Sequence, residues 1–255
     1  MQLSEFTARL DDRLDHDAFT DVDASSNGLQ VGPGGEVEVE HVAFAVDGVE
    51  ATFDAAIDAG ADVCCVHHGM VWGGLERVTD VEYERIASLV EGDLALYVSH
   101  LPLDAHPELG NAAQLAATLE CERREPFGSI GGEHIGQLVR ASEPFGVAKL
   151  ESSLNALDTG GRECRTLAFG PDTIEDIAIV TGSGTDWIRE AATVGADALV
   201  TGEGKQQAYH EAREVGLNIF LAGHYATETF GVRALESLVA EWGLETTFID
   251  HPTGL

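Results

Sequence analysis

The chain has 255 residues, 44% of them hydrophobic, and carries 45 acidic against 14 basic side chains for a formal charge of −31. Apolar content at that level, set in periodic blocks, excludes an intrinsically disordered chain despite the charge, and the length allows one or two compact domains with a large core. No apolar run approaches the ~18 residues that span a bilayer, no basic-then-apolar leader opens the chain, and so acidic a surface argues against nucleic acid; the expected compartment is the cytoplasm.

The first ~40 residues open on an amphipathic helix with Leu3, Phe6, Leu10 and Leu14 on one face, then a loop over 25–32. An apolar run over 61–66 ends in His67-His68, and Leu94-Ala-Leu-Tyr-Val98 leads to His100-Leu-Pro-Leu-Asp104. Residues 125–175 are broken by Phe127-Gly-Ser-Ile-Gly-Gly132, Gly136, Gly146 and Gly160-Gly161 and read as a hairpin-rich section. A third apolar run, 217–222, leads to His224-Tyr-Ala-Thr-Glu228 and a helix expected over 227–238. Each run reads as a buried strand that delivers imidazoles and a carboxylate at its C-terminal end, where open α/β sheets keep their sites.

Neutral imidazole with carboxylate is ligand chemistry for a divalent transition metal. Neighbouring side chains on a strand point to opposite faces, so His67 and His68 are expected to serve different ions, side by side as in two-metal hydrolytic sites. His224 and Glu228, four apart, share one helical face, and a glutamate with two oxygens can bridge both ions. Hydrogen-bonded core histidines are the bland alternative for any one position; three clusters at equivalent strand ends favour metal.

The chain also contains a duplication. Moving Val42–Gly69 forward by 135 positions places it on Ile177–Gly204 without a gap, with Gly60-Ala61-Asp62 on Gly195-Ala196-Asp197 and His67-His68 on Gly202-Glu203. A second register, 124, places His100 on His224 and Asp104 on Glu228. The expected fold is therefore α/β: two similar βαβ-type repeats, helices flanking the sheets, facing each other across a metal-binding cleft. The expected division is 1–124 plus 225–255 against 125–224. As repeat equivalents of ligands, His100 and Glu203 are expected beside the metals, as general base or holding the bound water, with a hydrogen-bonded structural role as the alternative.

Most of the carboxylates belong to the surface. A near-uniformly acidic chain whose lysines are Lys149 and Lys205 suits molar salt, where the Debye length is ~3 Å and self-repulsion is cancelled. Cys64, Cys65, Cys121 and Cys164 have no C-x-x-C spacing and are expected as reduced, structural thiols. No phosphate loop is present. The candidates for an anion are Arg123-Arg124, Arg140 and Lys205, with the turn Gly182-Ser-Gly184 either an anion cradle or a tight βα turn.

Asn27-Gly-Leu-Gln-Val-Gly32, Phe44-Ala-Val-Asp-Gly48, Val66-His-His-Gly-Met70, Ser99-His-Leu-Pro-Leu-Asp104, Thr201-Gly-Glu203 and Ala222-Gly-His-Tyr-Ala-Thr-Glu228 together resemble the Nif-three-like dinuclear metal proteins, also called GTP cyclohydrolase I type 2 homologues, in their short form. The stretch Gly204-Lys-Gln-Gln207 departs from the histidine-richer pattern of many relatives. The resemblance implies two divalent ions per chain (Zn, Mn, Fe, Co or Ni) on His67, His68, Asp104, His224 and Glu228, and a toroidal homohexamer. It also implies a metal-dependent hydrolase of a nucleotide-like small molecule, with GTP ring opening the leading form. The alternative is a non-catalytic metal-binding regulatory or scaffolding protein. Redox chemistry is not expected, since neither a Rossmann glycine fingerprint nor redox-spaced cysteines occur.

Overall fold

The computed structural model describes residues 1–34, 37–158 and 160–255, and for Arg123 and Arg124 the backbone only. The chain forms two units, one of Met1–Leu103 with Gly231–His251 and one of Asp104–Phe230 with Pro252–Leu255.

The first unit opens on α1 (Leu3–Leu14), whose four apolar positions at helical spacing are all buried. Residues 25–32, expected as loop, contain a short edge strand, β1 (Gly28–Val31). Then follow β2 (His41–Asp47), α2 (Glu50–Asp58), β3 (Val63–His68), α3 (Asp80–Glu91), β4 (Ala95–Val98) and the one-turn α4 (Leu101–Ala105) at the boundary. The sheet order is β1-β4-β3-β2-β11, where β11 (Glu245–Phe248) is the last strand of the chain. β2, β3, β4 and β11 are parallel and β1 is antiparallel. Parallel pairing with a helix between successive strands explains why β2 and β3 read as continuous apolar runs, since helices cover such strands. Ala43, Ala45, Phe53, Cys64, Val66, Leu89, Leu96 and Val98 form the core.

The second unit contains α5 (Asn111–Thr118), β5 (Cys121–Ile130), β6 (Glu133–Gly146), α6 (Val147–Leu154), β7 (Arg165–Leu167), β8 (Thr173–Ile179), α7 (Ile188–Thr193), β9 (Ala198–Thr201), α8 (Ala208–Val215), β10 (Asn218–Leu221) and the start of α9 (His224–Glu241). The order is β5-β6-β8-β9-β10-β7. The glycine-punctuated section is the long antiparallel hairpin β5–β6, which pairs antiparallel with β8. From β8 through β10 the strands are parallel. Both sheets are therefore mixed; the repeated parts supply parallel strands to each, and β11 adds a further parallel strand to the first.

The duplication is visible in the hydrogen bonds. Asp62 Oδ2 accepts from the backbone N–H of Glu40 (2.8 Å) and His41 (2.9 Å); 135 positions on, Asp197 Oδ2 accepts from Glu175 (2.8 Å) and Asp176 (3.0 Å). The helix ends match as well: Ala61 N–H donates to Ala56 O and Ala196 N–H to Ala191 O, both at 3.0 Å. Gly60 and Gly195 both take the left-handed conformation, at φ 74° and 80°, that ends a helix before such a turn. The Gly-Ala-Asp signature is thus one device used twice: the glycine stops the helix and the aspartate ties the new strand to the preceding one.

Candidate metal centre

In the first unit, β3 and β4 deliver three imidazoles to one place. His67, His68 and His100 each offer a ligand nitrogen, and these atoms lie within 4.8 Å of one another. The rings of His67 and His68 do not diverge as a regular strand would have them. Their centroids are 4.7 Å apart, because His68 is the last residue of β3 and its ring is drawn to the carboxylate of Asp47 on the adjoining strand.

Every one of these rings is held by Nδ1. His67 Nδ1 donates to the Ser99 carbonyl (3.0 Å), His68 Nδ1 to Asp47 Oδ1 (2.8 Å) and His100 Nδ1 to Asp23 Oδ1 (2.8 Å). A carbonyl or ionised carboxylate only accepts, so Nδ1 carries the proton and Nε2 the lone pair that a metal takes. Asp23 is itself tightly enclosed: Asn27 Nδ2 and the N–H groups of Ser25 and Leu101 also donate to it, at 2.8, 2.9 and 3.0 Å. Burial pushes its carboxyl up, but His100, Asn27 and Ser25 together hold it down at about 2. Asn27 Oδ1 accepts from His100 N–H at 2.7 Å, so the Asn27 motif clamps the ligand loop. Trp72, exposed and fixed by an indole N–H bond to Gly69 O (3.0 Å), stands edge-on to His100 with centroids 5.0 Å apart.

Behind His67 runs a chain from Ser99 Oγ to His16 Nε2 (3.0 Å) and from His16 Nδ1 to Asp11 Oδ1 (3.1 Å). Its members match a serine–histidine–aspartate nucleophile set, but Ser99 is 1% exposed. No substrate reaches it, so the chain is a scaffold that fixes Ser99.

In the second unit the donors are Asp104, His224 and Glu228. His224 and Glu228 face each other across the first turn of α9, Nε2 to Oε2 3.1 Å. Carboxylate oxygens of Asp104 and Glu228 lie within 4.8 Å of each other. Asp104 is held by Asn111 Nδ2 (2.8 Å) and Thr181 Oγ1 (3.1 Å). Glu203 Oε1 sits 3.1 Å from His224 Nδ1, so the fourth histidine is held by Nδ1 like the other three. Burial lowers the pKa of His224, yet Glu228 and Glu203 outweigh that and raise it to about 9. A Cβ at Gly182 would run into Glu228 Oε1 and come within 3.0 Å of His224 Nε2, so only glycine leaves these two donors their space.

The donors therefore fit a divalent transition ion: Nε2 lone pairs from the oriented rings of His67, His68 and His100, a His224 whose Nε2 proton a bound ion would displace, and buried carboxylates, Asp104 among them anchored by hydrogen bonds. Asp47, Asp23 and Ser99 were not singled out from sequence. Asp47 lay inside a recognised motif, but the register that pairs it with His68 exists only once β2 and β3 are aligned. For the anion candidates, the turn takes the tight βα alternative and two of the cations are engaged within the chain. The N–H groups of Gly182 and Gly184 donate to Thr227 Oγ1 (3.1 Å) and Thr201 Oγ1 (2.8 Å), so that turn is structural and no anion cradle. Arg140 is committed to Asp176 and Lys205 to Asp186. The side chains of Arg123 and Arg124 lie outside the described residues.

A mixed α/β protein with histidine and carboxylate clusters at its strand ends is a candidate metal-binding protein by class. The chain belongs to the Duf34/NIF3 (NGG1p interacting factor 3) family, whose model matches residues 1–254. A "GTP cyclohydrolase 1 type 2 homolog" of Halobacterium salinarum is 56% identical, with all of both chains covered. Among solved structures, the protein ybgI, titled as of unknown function, superposes with a TM-score of 0.91 at 37% identity. The protein TTHA1606 from Thermus thermophilus does so with 0.89 at 38%; both matches cover 100% of each chain.

Proposed function

We propose that the protein is a metal-dependent hydrolase of nucleotide-like small molecules. Two divalent ions would be held by His67, His68, Asp104, His224 and Glu228, the glutamate with two oxygens to offer. The observation that carries this is the shared treatment of four histidines: each Nδ1 is spent on an oxygen acceptor, which fixes the ring and directs Nε2 away as the ligand atom; in His224 an ion would take the place of the Nε2 proton now shared with Glu228. Such ions, when bound, would lower the pKa of water toward neutrality and polarise the bond under attack.

The chain's own residues divide the remaining work. His100, oriented by Asp23, handles the proton of the attacking water through Nε2; Glu203 positions His224. Exposed Trp72 offers an aromatic face for a planar base. For GTP, one water adds at C8 and a C–N bond breaks, then a second water breaks the other C–N bond and the carbon leaves as formate. The names of the curated relatives support GTP as the substrate to try first. The acidic, lysine-poor composition supports salt adaptation and a cytoplasmic protein, and the family resemblance supports a homohexamer. No described helix is long and apolar enough to cross a membrane.

The test has two parts. Metal analysis of His68→Ala and Glu228→Ala should show loss of bound ion; two ions per chain retained in both would end the dinuclear reading. Metal-loaded protein in molar KCl should release formate from GTP, with loss of guanine absorbance and inhibition by chelator. Cleavage of a phosphoester with GTP left intact would keep the hydrolase and remove the cyclohydrolase. The family description names an interacting factor, which supports a metal-binding regulatory protein as second reading; no turnover across a panel of nucleotides and phosphoesters would favour it.

A further inference from the structure

Pro252–Leu255 form neither helix nor strand, and they belong to the second unit although Gly231–His251 before them belong to the first. Apolar burial of the Leu255 side chain does not hold them there, since Leu255 is 59% exposed. What the segment brings to the second unit is a carbonyl. Leu255 O accepts from the backbone N–H of His224 at 2.6 Å.

That bond falls where the backbone is least able to hold itself. His224 opens α9, and the first N–H groups of a helix have no carbonyl one turn back to accept them. Helix ends fray for this reason, and such local opening costs little. His224 and Glu228 span this first turn, Nε2 to Oε2 3.1 Å, so fraying would shift one donor against the other. The N–H groups around the helix start are tied instead: Gly223 N–H to Gly202 O (2.9 Å), His224 N–H to Leu255 O (2.6 Å) and Thr227 N–H to Gly223 O (3.0 Å). Gly202 follows β9 directly and Gly223 adjoins the helix, whereas the Leu255 carbonyl comes from beyond β11, the last strand of the chain.

The segment has a built seat. Gly160, at φ 63°, comes so close that a Cβ there would lie 2.8 Å from Gly254 N and 3.0 Å from Gly254 Cα, with Pro252 Cβ at 3.2 Å. Gly254 is buried and itself left-handed, at φ 68°. Leu255 N–H donates to Thr253 Oγ1 at 3.3 Å, which closes a small turn and leaves the carbonyl to His224.

We propose that residues 252–255 are a positioning strap: the Leu255 carbonyl fixes the start of α9, and with it the alignment of His224 with Glu228 on which an ion bound by these two would depend. The part played by an ion rests on the metal reading above. The hold on His224 does not, and can be measured without metal.

The disturbing variant is Gly160→Ala in the full-length protein, because its Cβ meets the backbone of Gly254 and pushes the strap aside. The control is Gly195→Ala, which carries the same left-handed penalty at φ 80° but has nothing within 4 Å of its Cβ. Hydrogen exchange at the His224 amide should be slow in the parent and in Gly195→Ala. In Gly160→Ala it should be about tenfold faster, the size of losing one hydrogen bond. Co2+ alone, titrated in competition with a chelator, should bind Gly160→Ala about tenfold or more weakly, the range for losing a group that orients a ligand. The visible absorption band of the bound ion should change as well, while Gly195→Ala keeps the parent's affinity and band at a similar urea midpoint. Equal exchange in the parent and Gly160→Ala overturns the strap whatever the metal does. Faster exchange with Co2+ affinity and band unchanged overturns the positioning role, and so does a weakening that Gly195→Ala shares. A parent that binds no Co2+, with the exchange difference intact, keeps the hold on His224 and removes the metal reading.

Discussion

Asp47 Oδ1 accepts a hydrogen bond from His68 Nδ1–H at 2.8 Å, and the two residues are backbone partners at the ends of the parallel strands β2 and β3. The bond turns a strand-end histidine toward its neighbour instead of away from it. Carboxylates in this position raise ligand basicity and fix the ring, and their loss typically costs about 10–100-fold in metal affinity. Asp47→Ala is therefore expected to fold and to bind metal about 10–100-fold more weakly in a competition titration against a chelator. Glu203→Ala should do the same through His224. Parent affinity in both variants would mean that these bonds do not serve a metal.

The paired aspartates of the repeat give a second expectation. Asp62 and Asp197 each accept two backbone N–H bonds at the start of a neighbouring strand. Replacing either by alanine strands those donors, at about 1–3 kcal/mol. Urea denaturation of Asp62→Ala and Asp197→Ala should show similar losses. A loss at only one of them would count against a shared structural role.

Asp23 should make stability fall with acid. Its side chain is 1% exposed and its pKa is lowered from 3.8 to about 2, burial raising it and the bonds from His100, Asn27 and Ser25 lowering it further. A depressed carboxylate contributes stability that is full above the unfolded pKa and is lost as pH falls from about 4 toward 2. The contribution is about 2 kcal/mol at neutral pH. Asp23→Asn should be less stable by that order at pH 7 and approach the parent near pH 2. A constant gap at every pH would show that the charge of Asp23 is not what stabilises.

The thiols should be silent. All four cysteines are buried and reduced, and burial pushes Cys64 and Cys164 up to about 12, Cys164 with a contribution from Glu151. The thiolate is the reactive form. A thiol reagent at pH 8 should therefore label the native protein only as fast as it unfolds, then label all four cysteines in denaturant. Rapid labelling of Cys64 or Cys65 in the native state would contradict a buried β3.

How far each feature was legible follows from the range of the interactions that make it. The amphipathic α1, the buried strands β3, β4 and β10, and the repeat with its Gly-Ala-Asp turns were readable because local chemistry decides them: periodic apolar residues, a glycine for positive φ, an aspartate for two neighbouring N–H groups. The donors could be nominated because histidine and carboxylate at strand ends keep their spacing in the chain. What holds them was not readable. Asp23 reaches His100 across 77 positions and Ser99 reaches His67 across 32, and no local pattern encodes a partner that far away. The same limit applied to cations. Sequence counts arginines but not their partners, so Arg140 and Lys205 looked available until the fold set them against Asp176 and Asp186.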